Sequence, residues 1–81
     1  MSLKVQSSPL LEEVTDFLSS QPALTEIADF RVSEANDIRF HELLDKKQSA
    51  ALTAQEEDEL EEFLYIHHLL IMLKAKARIH A

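Results

Sequence analysis

A chain of 81 residues makes one domain, and at this size folding buries only about 60–65% of the surface that the unfolded chain exposes, so a monomeric core is marginal. The absence of cysteine removes disulfides, cysteine-ligated zinc, iron–sulfur clusters and thiol nucleophiles, and the absence of glycine removes phosphate-cradling and dinucleotide loops. A net charge of −7 opposes generic binding to nucleic acid, which needs a cationic face.

Residues 1–7 read as a short arm. Leu3 and Val5 alternate with Lys4 and Gln6, so a brief strand and a frayed terminus are both open. A first helix is expected over residues 9–20. Ser8 stands as its N-cap, Pro9 occupies the first helical position, and Glu12 and Glu13 suit the positive helix end. Leu10, Val14, Phe17 and Leu18 recur at helical spacing and form its apolar face. Pro22 closes it.

A short helix is expected over residues 23–30, started by Thr25 or by the Gln21–Pro22 pair, with Leu24, Ile27 and Phe30 facing inward. Ser33 then caps a helix over residues 34–48, whose apolar positions are Ala35, Ile38, Phe40, Leu43 and Leu44. Two pairs at i,i+4 spacing, Glu42 with Lys46 and Asp37 with a charged His41, are oriented to support it.

The last helix, residues 54–79, carries the clearest signals. Thr53 and Glu56 form an S/T-x-x-E capping box, in which each side chain satisfies the other residue's orphan N–H. Acids fill the first two turns and bases (Lys74, Lys76, Arg78) fill the last, each complementing the macrodipole. At 1.5 Å per residue this rod is about 39 Å long, more than one 15-residue neighbour can cover.

Its centre, Phe63 to Leu73, is the most informative stretch. Ile66, Leu73, Ala77, Leu70 and Phe63 form one stripe, and Leu60, His67, Ile71 and Leu64 widen it to about 180°, beyond the roughly 100° that a surface helix needs. Leu69 and Met72 fall outside that arc. The middle of the rod is therefore expected to be covered on two sides. The preceding helix, folded back as an αα-hairpin across Ser49–Leu52, supplies one. The first helix or a second copy of the chain supplies the other, and the length of the rod with the marginal core favours the copy. Two rods crossing antiparallel about a two-fold axis near His68 would bring Asp58 to the partner's Arg78 and Glu62 to the partner's Lys74. The expected interface is thus Phe63, Leu64, Ile66, His67, Leu70, Ile71, Leu73, Lys74, Arg78, Asp58 and Glu62.

Catalytic and cofactor chemistry find little footing. His67 and His68 are adjacent and point about 100° apart, so they cannot share one ion on a regular helix; a metal held between two chains stays open. His41–Glu42 lacks the second histidine of HExxH, because position 45 is Asp45. The carboxylates cluster at a helix start where they look solvated, not in a pocket that would tune them for acid–base work, and the serines sit at helix boundaries, where capping accounts for them. No enzyme activity, resident metal or cofactor is expected. The longest mostly apolar stretch has 11 positions (63–73), against about 20 for a membrane span, and no signal-peptide pattern opens the chain, so a cytoplasmic location is expected.

Arg39-Phe-His-Glu-Leu-Leu-Asp-Lys-Lys47, then Leu52-Thr-x-x-Glu56, Glu59-Leu60, Phe63-Leu64, His68-Leu69 and Leu73-Lys74-Ala75-x-Ala77, resemble a group of small uncharacterised helical proteins frequent in cyanobacteria. The likeness covers roughly residues 39–78. Some members are encoded beside nuclease-like or toxin-like genes, and the resemblance implies an antitoxin-like or accessory role with a protein partner. Several carry glycine in the turn before the Leu-Thr motif, where this chain has Ser49-Ala50-Ala51.

The sequence thus predicts an all-α domain, with short N-terminal helices followed by an αα-hairpin and a long final helix, associating as a dimeric bundle. Its expected function is that of a non-enzymatic, homodimeric protein-interaction module. The alternative is a DNA-binding regulator of ribbon–helix–helix type, built from Leu3–Val5 and the two helices after it.

Overall fold

A computed structural model describes residues 8–81. The fold is all-α: α1 (Pro9–Ser19), α2 (Leu24–Ala28), α3 (Glu34–Gln48) and α4 (Ala54–His80). The expected arm, and the strand on which the ribbon–helix–helix alternative depends, lie outside the described residues.

Local chemistry sets the helix starts. The Ser8 hydroxyl accepts from the backbone N–H of Leu11, and Pro9 opens α1. Ser33 accepts from the N–H of Asn36. At α4 the capping box closes both ways: Thr53 Oγ1 accepts from the N–H of Glu56 at 3.1 Å, and Glu56 Oε1 accepts from the N–H of Thr53 at 3.2 Å. The short second helix differs from expectation. It spans five residues instead of 23–30 and starts after Ala23, whose N–H is taken by the Glu26 carboxylate.

Two helix ends use left-handed backbone without glycine. After α3, Ala50 adopts φ 57°. The Ala51 N–H reaches the Lys46 carbonyl and the Ala50 N–H reaches that of Lys47, which is the Schellman pairing that glycine usually permits. After α1, Gln21 adopts φ 54° and donates to the Leu18 carbonyl. The next residue, Pro22, has no N–H to complete that pattern, and the Ser20 hydroxyl and N–H bind the Phe17 carbonyl instead.

The core is a single cluster. Leu10 and Val14 of α1, Leu43 of α3, and Leu60, Phe63, Ile66 and Leu70 of α4 are buried together. Phe40 stacks on Phe63, with ring centroids 5.7 Å apart and planes 6° off parallel. Phe17 meets Phe30 at 4.4 Å. Each large apolar side chain so enclosed contributes about 1.5–3 kcal/mol. Several expected inward positions turn outward: Leu24 and Ile38 are exposed, as is Ala35. Asn36 is buried in their place, because it shares the face of Phe40 and Leu43 at i+4 and i+7.

All three shorter helices lie against α4. The molecule measures 42 × 32 × 19 Å. Its long axis matches the length of α4, about 40 Å for its residues at 1.5 Å each. Its thickness suits two layers of helix spaced about 8–10 Å apart. One layer is α4; the other is α1, α2 and α3. The two covers expected for the rod both come from within the chain: α3 supplies one, and α1 with α2 stands where a second copy had been favoured.

Candidate functional site

Among the described residues, one side of α4 carries no covering helix, and this bare side is the candidate site. Leu60, Phe63, Ile66, Leu70 and Ala77 turn into the core, and Leu73 is half-buried beside them. The opposite side carries Tyr65 (71% exposed), Leu69 (47%), Met72 (47%) and Ile79 (77%). With Lys76 these residues recur at steps of four, three, four and three, the spacing of a coiled-coil seam. Leu64 and Ile71, each exposed, and His68, also exposed, flank the seam along one edge.

This placement redraws the expected interface. Phe63, Ile66 and Leu70 belong to the chain's own core, so no second chain can reach them. Glu62 is half-buried and accepts from the Ser8 hydroxyl at 2.6 Å. Lys74 donates to the Phe30 carbonyl at 2.7 Å, tying the end of the α2 segment to the rod. The Glu62–Lys74 pair expected between chains is therefore replaced by two contacts within one chain. Leu64, Ile71, Asp58 and Arg78 stay exposed. His67 is exposed at its edge while its ring lies 5.6 Å from that of Phe40. Periodicity sets Leu69 and Met72 outside the apolar arc, but these two, with Tyr65 and Ile79, were missed as a surface for association because the interface was sought on the arc that the chain's own helices cover.

The ends of the bare side carry opposite charge. Glu57, Asp58 and Glu61 are exposed near the start, and Lys76 and His80 near the end; Arg78 is exposed on the azimuth of Leu60, away from the seam. The remaining acids of the first turns are committed within the chain. Arg39 reaches Glu59 with a fork, Nε to Oε2 at 2.8 Å and Nη2 to Oε1 at 2.9 Å. Lys46 binds Glu56 Oε2 at 2.6 Å, although its expected partner was Glu42. These two contacts clip α3 to α4. Hydrogen bonding from Lys46, then from the Thr53 N–H, holds the Glu56 carboxyl down at about 2, with the charge of Arg39 helping. The separate fork to Glu59 raises the pKa of Arg39, against the desolvation that opposes it, with the charges of Glu59 and Glu56 helping. The expectation of a solvated acidic cluster therefore fails for Glu56 and Glu59.

A second polar knot joins α1 to the start of α3. Glu13 accepts from the Ser33 N–H (2.7 Å), the Ser33 hydroxyl (2.7 Å) and the Asn36 amide (2.6 Å). Desolvation opposes its ionisation, but the donors from Ser33 and Asn36 together outweigh it and hold Glu13 below the ordinary carboxylate range. Its geometry is that of a structural lock on a helix N-terminus.

Between α3 and α4 lies a cleft of about 210 Å³, lined by Phe40, Phe63, Leu70 and Val32 with His41, His67, Asp37 and Asn36 at its polar edge. The His41 Nδ1 is engaged with the Asp37 carbonyl at 2.8 Å. Among the described residues, no group of three or more His, Asp or Glu converges as a metal site, and no helix is long and apolar enough to cross a membrane. No protein-family model, curated protein or solved structure matches the chain.

Proposed function

We propose that this protein is a non-enzymatic helical interaction module that associates with a second copy of itself through the bare side of α4. The observation that carries this reading is the exposed seam of Tyr65, Leu69, Met72 and Ile79 on a helix whose opposite side already holds the core. Isolated exposed apolar residues are ordinary on a protein surface, but a contiguous patch along one helix face marks a site of association. A chain of this size also gains stability from oligomerisation, lacking the disulfides or metal that other small domains use.

The experiment is molar mass by light scattering across a dilution series. A mass twice that of the 9.3 kDa chain, falling towards the single-chain value on dilution, is expected. Leu69→Lys combined with Met72→Lys should give a monomer with unchanged helix content. A monomeric mass for the unaltered chain at every concentration would refute the reading.

Under the same reading, the dimer serves as an accessory, antitoxin-like partner. The support is charge: at −7 the molecule is suited to a basic protein surface, because complementary potentials speed association. Isolation from native lysate at low salt should then recover one basic protein in fixed proportion, released as salt rises. Recovery of the dimer alone would count against the accessory role.

A further inference from the structure

The bare side of α4 has a polarity that sets the direction of pairing. Its acids lie at positions 57, 58 and 61 and its bases at positions 76 and 80, with Tyr65, Leu69 and Met72 between; Arg78, on the azimuth of the buried Leu60, faces away. Two such rods laid parallel would stack Asp58 on Asp58 and Lys76 on Lys76. Laid antiparallel, each acidic end meets a basic end. Like charges directly opposed across an interface disfavour that arrangement, so charge selects direction even where apolar burial supplies the affinity.

Resting on the self-association proposed above, we infer that the second copy docks antiparallel, with the two-fold axis passing close to Leu69. Leu69 then packs on its own counterpart, and Tyr65 lies beside the partner's Met72. Glu61 comes within a turn of the partner's Lys76, and Asp58 comes within a turn of the partner's His80, while Arg78, on the azimuth of the buried Leu60, takes no part. Such an interface is isologous: each surface patch meets its own copy, and the assembly closes at two chains. Glu62 and Lys74 take no part, being held by Ser8 and by the Phe30 carbonyl. The dimer then has four layers, the two rods back to back at the centre and the shorter helices of each copy outermost.

Distance between labels decides the direction. The chain contains no cysteine, so Gln55→Cys gives one attachment point for a nitroxide, at an exposed site outside the seam and its charged ends. An axis at Leu69 separates two labels at position 55 by about 40 Å, from 1.5 Å per residue. Parallel rods packed at helix–helix spacing would hold them within about 20 Å. A dipolar spectrum centred near the longer distance, together with the dimer mass, is expected. A dimer with the shorter distance would overturn the antiparallel arrangement and leave self-association standing. A chain that stays monomeric would overturn both. A dimer that survives Leu69→Lys with Met72→Lys would overturn the assignment of this face. A monomer that partitions onto neutral phosphatidylcholine vesicles would assign the seam to a lipid surface instead, and would also overturn the inference.

Discussion

At the scale of single residues, the positions that matter most are those where the chain does without its usual devices. Ala50 holds a left-handed φ of 57°, where an L-residue with a Cβ is strained by roughly 1–2 kcal/mol. Ala50→Gly removes that strain at some cost in unfolded-state entropy, so a net gain of about 0.5–1 kcal/mol is expected, read as a higher urea midpoint. Ala50→Val should lower the midpoint. Glu56 gives a prediction in pH. Its carboxyl is depressed from 4.5 to about 2 in the fold, first by the Lys46 hydrogen bond. A depressed folded value means that this stabilisation is complete above the ordinary carboxylate range and is lost as pH falls from about 4.5 towards 2. Lys46→Met should flatten the decline of melting temperature across that interval. An equally steep decline in the variant would show that the contact contributes nothing to the acid response.

At the scale of elements, the two polar contacts between helices do different work. The Glu13 knot is the only described link from α1 to the N-terminus of α3 that is made of hydrogen bonds, and it satisfies the buried Asn36. Glu13→Ala leaves that amide without its acceptor, and a loss of about 1–3 kcal/mol is expected by chemical denaturation. Replacing both residues, as in Glu13→Ala with Asn36→Ala, should cost less than the two single losses added together, because no orphaned amide remains. Helix starts were legible because caps are local: Ser8, Ser33 and Thr53 each lie within three residues of the N–H they satisfy. The short α2 was legible only coarsely, since nothing in Ala23–Phe30 outweighs its neighbours. Burial of Asn36 was hidden because its acceptor lies in another helix, although its spacing from Phe40 and Leu43 points the same way. The stripe of α4 that takes the core was legible, since Phe63, Ile66, Leu70, Leu73 and Ala77 with Leu60 are buried or half-buried; that Leu64, His67 and Ile71 at its edge stay exposed was not, because it depends on where three other helices settle.

At the scale of the whole molecule, the sidedness of α4 makes adjacent residues respond in opposite ways. Leu70 is 7% exposed and Leu69 is 47% exposed. Leu70→Lys puts a charge into the core and should abolish cooperative unfolding and most of the helical circular dichroism. Leu69→Lys should leave both intact in the isolated chain and shift only the molar mass. If the two variants lost helix content alike, the partition of α4 into an inner and an outer side would be wrong.

The 19 Å thickness has a consequence for how such a protein can change over time. Under the proposed pairing, residues that hold the fold and residues that would choose an associate occupy opposite banks of one helix, with almost no shared members. Rewriting Tyr65, Leu69, Met72 and Ile79 would redirect the choice of associate while leaving Leu60, Phe63, Ile66 and Leu70 untouched. Descendants of one ancestral chain could acquire separate allegiances without passing through an unfolded intermediate.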